Sequence, residues 1–142
     1  THVMYAWRDT DKPDIVYHDP KVLMAAWIVV HICTGLTLWF IWLGEGFSKH
    51  ALELFPMLLF SMVECTWCDI LFYTHRLDWV MAAWCVILVL ILITQILLCY
   101  KKVGIGALFL VPHVAACLTI IVYIDAFMDI FPNMVWYSYD GK

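Results

Sequence analysis

The stretch Trp79–Tyr100, WVMAAWCVILVLILITQILLCY, contains no Asp, Glu, Lys or Arg. At about 1.5 Å of rise per residue, a helix of this length crosses the roughly 30 Å hydrocarbon core of a bilayer. Val22–Gly44 and Val103–Ile124 are free of the same four residues and read the same way. A fourth stretch, Leu52–Tyr73, is apolar but carries Glu53, Glu64 and Asp69. Taken alone it reads as a span or as an interfacial or re-entrant segment. Counting it as a span keeps every connection short, which suits antiparallel neighbours in a bundle. The pattern predicts an all-α integral membrane bundle of four transmembrane helices. They fall near 22–43, 52–73, 79–100 and 103–127, with both termini on one side.

Composition agrees. The 142 residues suffice for one compact unit; 65% are hydrophobic and 14% charged, against about 45–50% and 25% in soluble domains. Mean hydropathy is +0.87. A soluble fold of this size leaves roughly a third of its chain surface exposed, so lipid must solvate part of this one. A net charge of −4 excludes the basic face that nucleic acid requires. With 6 Gly, 5 Pro and 6 Cys spread through apolar runs, collagen, disorder and disulfide scaffolds are excluded too.

Residues 1–21 form a polar arm with Arg8, Asp9, Asp11, Lys12, Asp14 and Lys21. Its Tyr5, Trp7 and Tyr17 suit a segment lying at the membrane interface. No apolar run precedes the first span, so no cleaved secretory signal is expected, and that span serves as the insertion signal. Residues 22–131 make the transmembrane domain and 132–142 an aromatic tail with Trp136, Tyr137 and Tyr139. Arg8, Lys12, Lys21, Arg76 and Lys142 on one side, against Lys49, Lys101 and Lys102 on the other, slightly favour termini on the positive side.

Ionisable groups inside a bilayer are costly and therefore functional candidates. By helical rise His31 lies roughly 13 Å into the first span. His113 lies about 15 Å into the last, which runs the opposite way. Glu64 falls at a similar level in the second, and Gln95 lies on the third nearer the opposite face. Two histidines at one depth admit a haem b with His31 and His113 as ligands. They equally admit two interhelical hydrogen bonds. The other three spans hold no Lys or Arg. Glu64 is therefore protonated, bonded to His31 or His113, or paired with a cation from a neighbouring subunit. Asp69 lies nearer the terminal side, close to His75 and Arg76 and within reach of water.

Cys65-Thr-Trp-Cys68 is a CxxC set mid-span, where cysteine packs as a small apolar residue. No metal centre is expected from it. Trp27, His31, Gly35 and Trp39 recur every fourth residue as one stripe, read as core packing with Gly35 allowing close helix contact. Pro112 falls within the last span and is expected to bend it. No Ser–His–Asp set, phosphate loop or glycine-rich nucleotide turn is present. The chain is therefore not expected to be an enzyme.

The run Glu64-Cys-Thr-Trp67-Cys-Asp-Ile-Leu-Phe72-Tyr-Thr-His75-Arg76 resembles the third-helix signature of the TspO/translocator protein family, N-x-x-W-x-P-x-F-F-G-x-[KR]. That family is also known as tryptophan-rich sensory proteins or peripheral benzodiazepine receptors. Leu108-Phe-Leu-Val-Pro112-His113-Val resembles its L-L-x-P-Y-L motif. Lys12-Pro13 with Tyr17-His18-Asp19-Pro20 resembles its K-P-x-W-x-P-P loop, and Trp27, His31 and Gly35 its W-x-x-x-Y-x-x-x-G. The motifs keep the family's order and spacing over nearly the whole chain.

The departures are specific. The family has five membrane helices, and this chain reads as lacking the first. The family's third-helix Asn is Glu64, its Pro is Asp69, and its two Tyr are His31 and His113. Its loop Pro-Pro is Asp19-Pro20, the aromatic after P-Y-L is Ala116, and the terminal L-N is displaced to Ile124-Asp125.

The resemblance implies a pocket for sterols or tetrapyrroles, walled here by Trp27, His31, Trp67, Pro112 and His113. The reading favoured from sequence is different. It is a non-catalytic, TspO-like accessory subunit of a larger membrane complex, a mitochondrial respiratory assembly in the inner membrane. Glu64, Asp69 and Gln95 would be its buried polar or partner contacts. Gly35, Ala82, Ala83, Ala115 and Ala116 would accept a foreign helix. The alternatives are a translocator-type receptor, in the outer membrane, and a haem b-binding membrane anchor. Expected partners are membrane lipids and other subunits. No cofactor is required on this reading, a bound lipid is expected, and haem or porphyrin is the cofactor that the alternatives admit.

Overall fold

A backbone that crosses hydrocarbon must satisfy its own hydrogen bonds, so the apolar runs become helices. In the computed structural model, residues 20–74 and 76–130 are described. The interfacial arm before residue 20, His75 and the tail after residue 130 lie outside the described residues.

Helix α1 spans Pro20–Glu45, α2 Ala51–Thr74, α3 Leu77–Tyr100, α4 Gly104–Phe109 and α5 Val111–Ile130, with a 3-10 turn at Phe47–His50 before α2. Four stretches are long and apolar enough to cross a membrane, Met24–Glu45, Phe47–Leu71, Leu77–Tyr100 and Gly104–Asp129. The described residues contain no strand. The four expected spans are therefore present, their ends within five residues of those read from sequence.

The fourth span differs in form. Pro112 does not bend a continuous helix; the helix breaks at Leu110, and Pro112 becomes the second residue of α5. Pro112 has no N–H to donate back into α4, and in the first turn of a new helix that loss is harmless. The break leaves the last carbonyls of α4 without their usual partners. Side chains supply some. Thr37 Oγ1 donates to Gly106 O at 2.9 Å and Gln95 Nε2 donates to Ala107 O at 3.0 Å. These bonds tie α1 and α3 to the broken helix. Gly106 is where α1 and α4 approach closely, since a Cβ there would lie 3.5 Å from Thr37 Cγ2. Gly35 has no such neighbour and faces open space, so the close contact read at Gly35 belongs to Gly106. The stripe it sits on turns outward. Trp27 is half-buried, whereas His31, Gly35 and Trp39 are exposed.

Helix α3 ends in a Schellman turn. Val103 N bonds Leu98 O at 2.8 Å and Lys102 N bonds Cys99 O at 3.2 Å. Lys102 takes the left-handed conformation there, with φ 61°. At the other end of α3, Arg76 Nε donates to Asp78 Oδ1 at 3.1 Å and Arg76 Nη2 to Asp78 Oδ2. The guanidinium also lies 5.2 Å from the centroid of Trp79. The hydrogen bond to Asp78 pushes the Arg76 pKa up from its ordinary value. Asp78 in the first turn also favours the positive end of the helix dipole.

Helix α2 packs along α3, α3 against α4 and α5, and α1 against α4 and α5. Helices α1 and α2 are not a packed pair along their length, and that flank is where the site lies. Phe60, Trp84, Ile87, Ile91, Leu98, Leu110 and Cys117 form the centre of the core and are fully buried. Ile28, Ile32, Trp42, Ile96 and Leu108 point outward, as lipid-facing side chains must.

Candidate functional site: an apolar cavity beneath a Glu–His–His cluster

Between α1, α2, α3 and α5 lies a cavity of about 550 Å³. Met24 and Trp27 come from α1, Trp67 and Leu71 from α2, and Leu77, Val80 and Trp84 from α3. Thr119, Ile120, Tyr123, Ile124 and Phe127 complete it from α5. The lining is almost wholly apolar. Trp84 sits at the hinge of the aromatic wall. Its ring centroid lies 5.9 Å from Trp27 at an interplanar angle of 72°, and 5.7 Å from Trp67 at 56°. Edge-to-face pairs of this kind are each worth about 0.5–1.5 kcal/mol beyond area burial. Tyr123 and Phe127 pack edge-on at 4.7 Å. Trp84 is fully buried and its Nε1–H has no hydrogen-bond partner.

Roughly one helical turn deeper than Trp27 and Trp67 lie His31, Glu64 and His113. Glu64 Oε1 is 3.3 Å from His113 Nε2 and 3.9 Å from His31 Nε2. His113 is 1% exposed. Its ring stands edge-on to Phe60 at 5.3 Å and is 6.1 Å from the His31 ring. The outer nitrogen of each imidazole is held from α1. His31 Nδ1 lies 2.9 Å from Trp27 O; a carbonyl only accepts, so Nδ1 carries the proton. Thr34 Oγ1 donates to Val30 O at 3.0 Å. Thr34 Oγ1 also lies 3.0 Å from His113 Nδ1, a hydrogen bond whose direction follows the imidazole tautomer.

The structure thus divides the five expected pocket residues. Trp27 and Trp67 line the cavity. His31 and His113 do not; with Glu64 they form the polar layer beyond it. Pro112 is half-buried at the helix break and is not among the lining residues. The reason is axial: the turn that carries His113 and Pro112 lies above the cavity, and Thr119–Phe127, further along the same helix, supply its wall. Glu64 finds its neighbours inside the chain. Asp69 is exposed rather than buried. Gln95 is half-buried and spends its amide on Ala107 O.

One polar pair was missed from sequence. Glu53 is fully buried and His50 is 5% exposed, with Glu53 Oε1 3.5 Å from His50 Nδ1. None of the four polar atoms of this pair has a hydrogen bond among the described residues. The i,i+3 spacing of His50 and Glu53 was the available signal. It reads as ordinary at a membrane edge because nothing in sequence says that Gly44 lies against the His50 ring.

Of the pocket that the resemblance implied, Trp27 and Trp67 stand in the wall of this aromatic cavity. No curated protein and no solved structure matches the chain. The model of the TspO/MBR family matches residues 2–130, most of the sequence and all of the described helices, and the chain belongs to the TspO/MBR family.

Proposed function

We propose that this multi-pass membrane protein is a receptor or translocator that takes an apolar ligand of sterol or tetrapyrrole size into its cavity. The cavity itself carries this reading. Its volume of about 550 Å³ falls in the range of small-molecule sites, roughly 300–1,000 Å³. Three tryptophans and two further aromatics offer flat faces to a rigid ring system. The role is binding rather than catalysis.

This reading stands ahead of the accessory-subunit one, with its mitochondrial inner-membrane location. One motive for a foreign partner was a Glu64 without a cation at its depth, and His31 and His113 of the same chain lie beside it. The haem reading is weaker still. Glu64 Oε1 lies against the Nε2 atoms of both histidines, in the space that a porphyrin plane between them would need.

The test is tryptophan fluorescence of the purified chain in mild detergent, titrated with protoporphyrin IX and with a fluorescent sterol. The expected result is saturable quenching or energy transfer at one ligand per chain, reduced by Ile120→Trp, which fills the cavity. Absence of saturable binding to a folded, monodisperse chain would defeat the reading. Recovery of the chain only within a large particle of fixed stoichiometry would favour the accessory subunit instead.

A further inference from the structure

We propose that Glu64, His113 and His31 form a proton-binding site at mid-membrane, in which Glu64 and His113 hold one proton between them. This goes beyond ligand binding in the cavity and stands without it.

The inference rests on counting donors. His31 Nδ1 donates to the Trp27 carbonyl; with the Thr34 hydroxyl proton assigned to Val30 O, His113 Nδ1 donates to Thr34 Oγ1. In a neutral imidazole only one nitrogen carries hydrogen. Both Nε2 atoms then present bare lone pairs, and both face the same Glu64 oxygen. An ionised carboxylate is also acceptor-only. Three acceptors would converge with no hydrogen among them, in a layer where His113 Nε2 and Glu64 Oε1 are buried without any other partner. One added proton resolves this, as imidazolium against carboxylate or as carboxylic acid against imidazole. In either form the pair is neutral overall and the 3.3 Å gap becomes a hydrogen-bonded contact after a small side-chain rotation.

Among the described residues no other donor bonds Glu64 Oε1 or His113 Nε2. From α1 the titratable neighbour is His31; from α5 they are His113 and Cys117, the latter within electrostatic reach of Glu64. Helix α3 has one charged residue, Asp78, which is paired with Arg76 at its far end. On α2 itself Cys68 and the exposed Asp69 follow on the next turn. His31, with 48% of its side chain exposed, is the outermost member of the cluster. Thr34 acts as a positioning residue, because its hydroxyl fixes which His113 nitrogen faces the carboxylate.

The experiment is ¹⁵N-histidine NMR on the full chain in detergent micelles at neutral pH, comparing wild type, Glu64→Gln and Thr34→Val. The expected wild-type spectrum has His113 protonated at Nδ1 and its Nε2 engaged with a strongly deshielded shared proton. In Glu64→Gln that shared proton disappears, while Nδ1 stays protonated. In Thr34→Val the ring is released, and the Nε2–H tautomer of His113 gains population. A wild-type His113 that is Nε2–H only, donating to an ionised Glu64, overturns the proposal. So does an Nε2 that is bare and unbonded. Should Glu64→Gln fail to fold, Thr34→Val and the wild-type tautomer still decide it.

Discussion

Replacing Glu64 tests the polar layer energetically. Glu64→Gln keeps the shape and supplies an amide N–H that can donate to His113 Nε2, 3.3 Å from the present oxygen. Glu64→Leu keeps much of the volume but leaves that Nε2 buried with nothing to bond, on a residue 1% exposed. An interhelical hydrogen bond between membrane helices averages about 0.6 kcal/mol, with an upper end near 1.7. Leaving a buried polar group unsatisfied costs about 1–3 kcal/mol. Glu64→Gln is therefore expected to stay within about 1 kcal/mol of wild type, and Glu64→Leu to lose about 1–3 kcal/mol. Reversible unfolding in mixed micelles measures both. The double variant Glu64→Leu with His113→Phe removes the orphaned acceptor as well and should recover part of the loss, a coupling of roughly 0.5–2 kcal/mol. If Glu64→Leu alone is as stable as wild type, or the double variant is no better than the sum of its parts, the two side chains are not partners.

Three further outcomes are expected. Gly106→Ala places a methyl in ordinary contact with Thr37, 3.5 Å from its Cγ2, and should change stability by less than about 1 kcal/mol. Gly106→Leu should separate α1 from α4 and cost about 1–3 kcal/mol in the same unfolding assay. Lys102→Gly relieves the left-handed residue of the Schellman turn, φ 61°, and should stabilise by about 1 kcal/mol; a destabilised variant would show that the lysine side chain holds the turn by some other contact. With four antiparallel spans, cysteines placed at Lys49 and Lys101 should label from one side of sealed vesicles and one at Asp129 from the other. Labelling of all three from the same side would break the four-span topology.

The spans were legible because charge is excluded from hydrocarbon, and that signal does not depend on how helices turn. Depth was legible for the same reason: rise per residue put His31, Glu64 and His113 in one layer, and they are in one layer. Rotation was not. In lipid every face of a helix is apolar, so the four-residue stripe from Trp27 to Trp39 could not say which side meets protein, and most of it turned outward. The cavity wall on α5, from Thr119 to Phe127, left no mark in the sequence because its residues match the lipid-facing ones in kind. Pro112 announced a disturbance but not its form. Whether a proline bends a helix or ends it depends on what holds the preceding turn, and Thr37 and Gln95 bond Gly106 O and Ala107 O there from helices distant in sequence.

The central claim is that an apolar ligand occupies the cavity walled by Trp27, Trp67 and Trp84. Photolabelling the purified chain with a diazirine sterol, followed by peptide mass mapping, tests it most directly. The account predicts adducts on Met24, Leu71, Ile120 and Tyr123, competed by unlabelled sterol and lost in Ile120→Trp. Adducts confined to outward-facing residues such as Ile96 and Leu108, without competition, would contradict it.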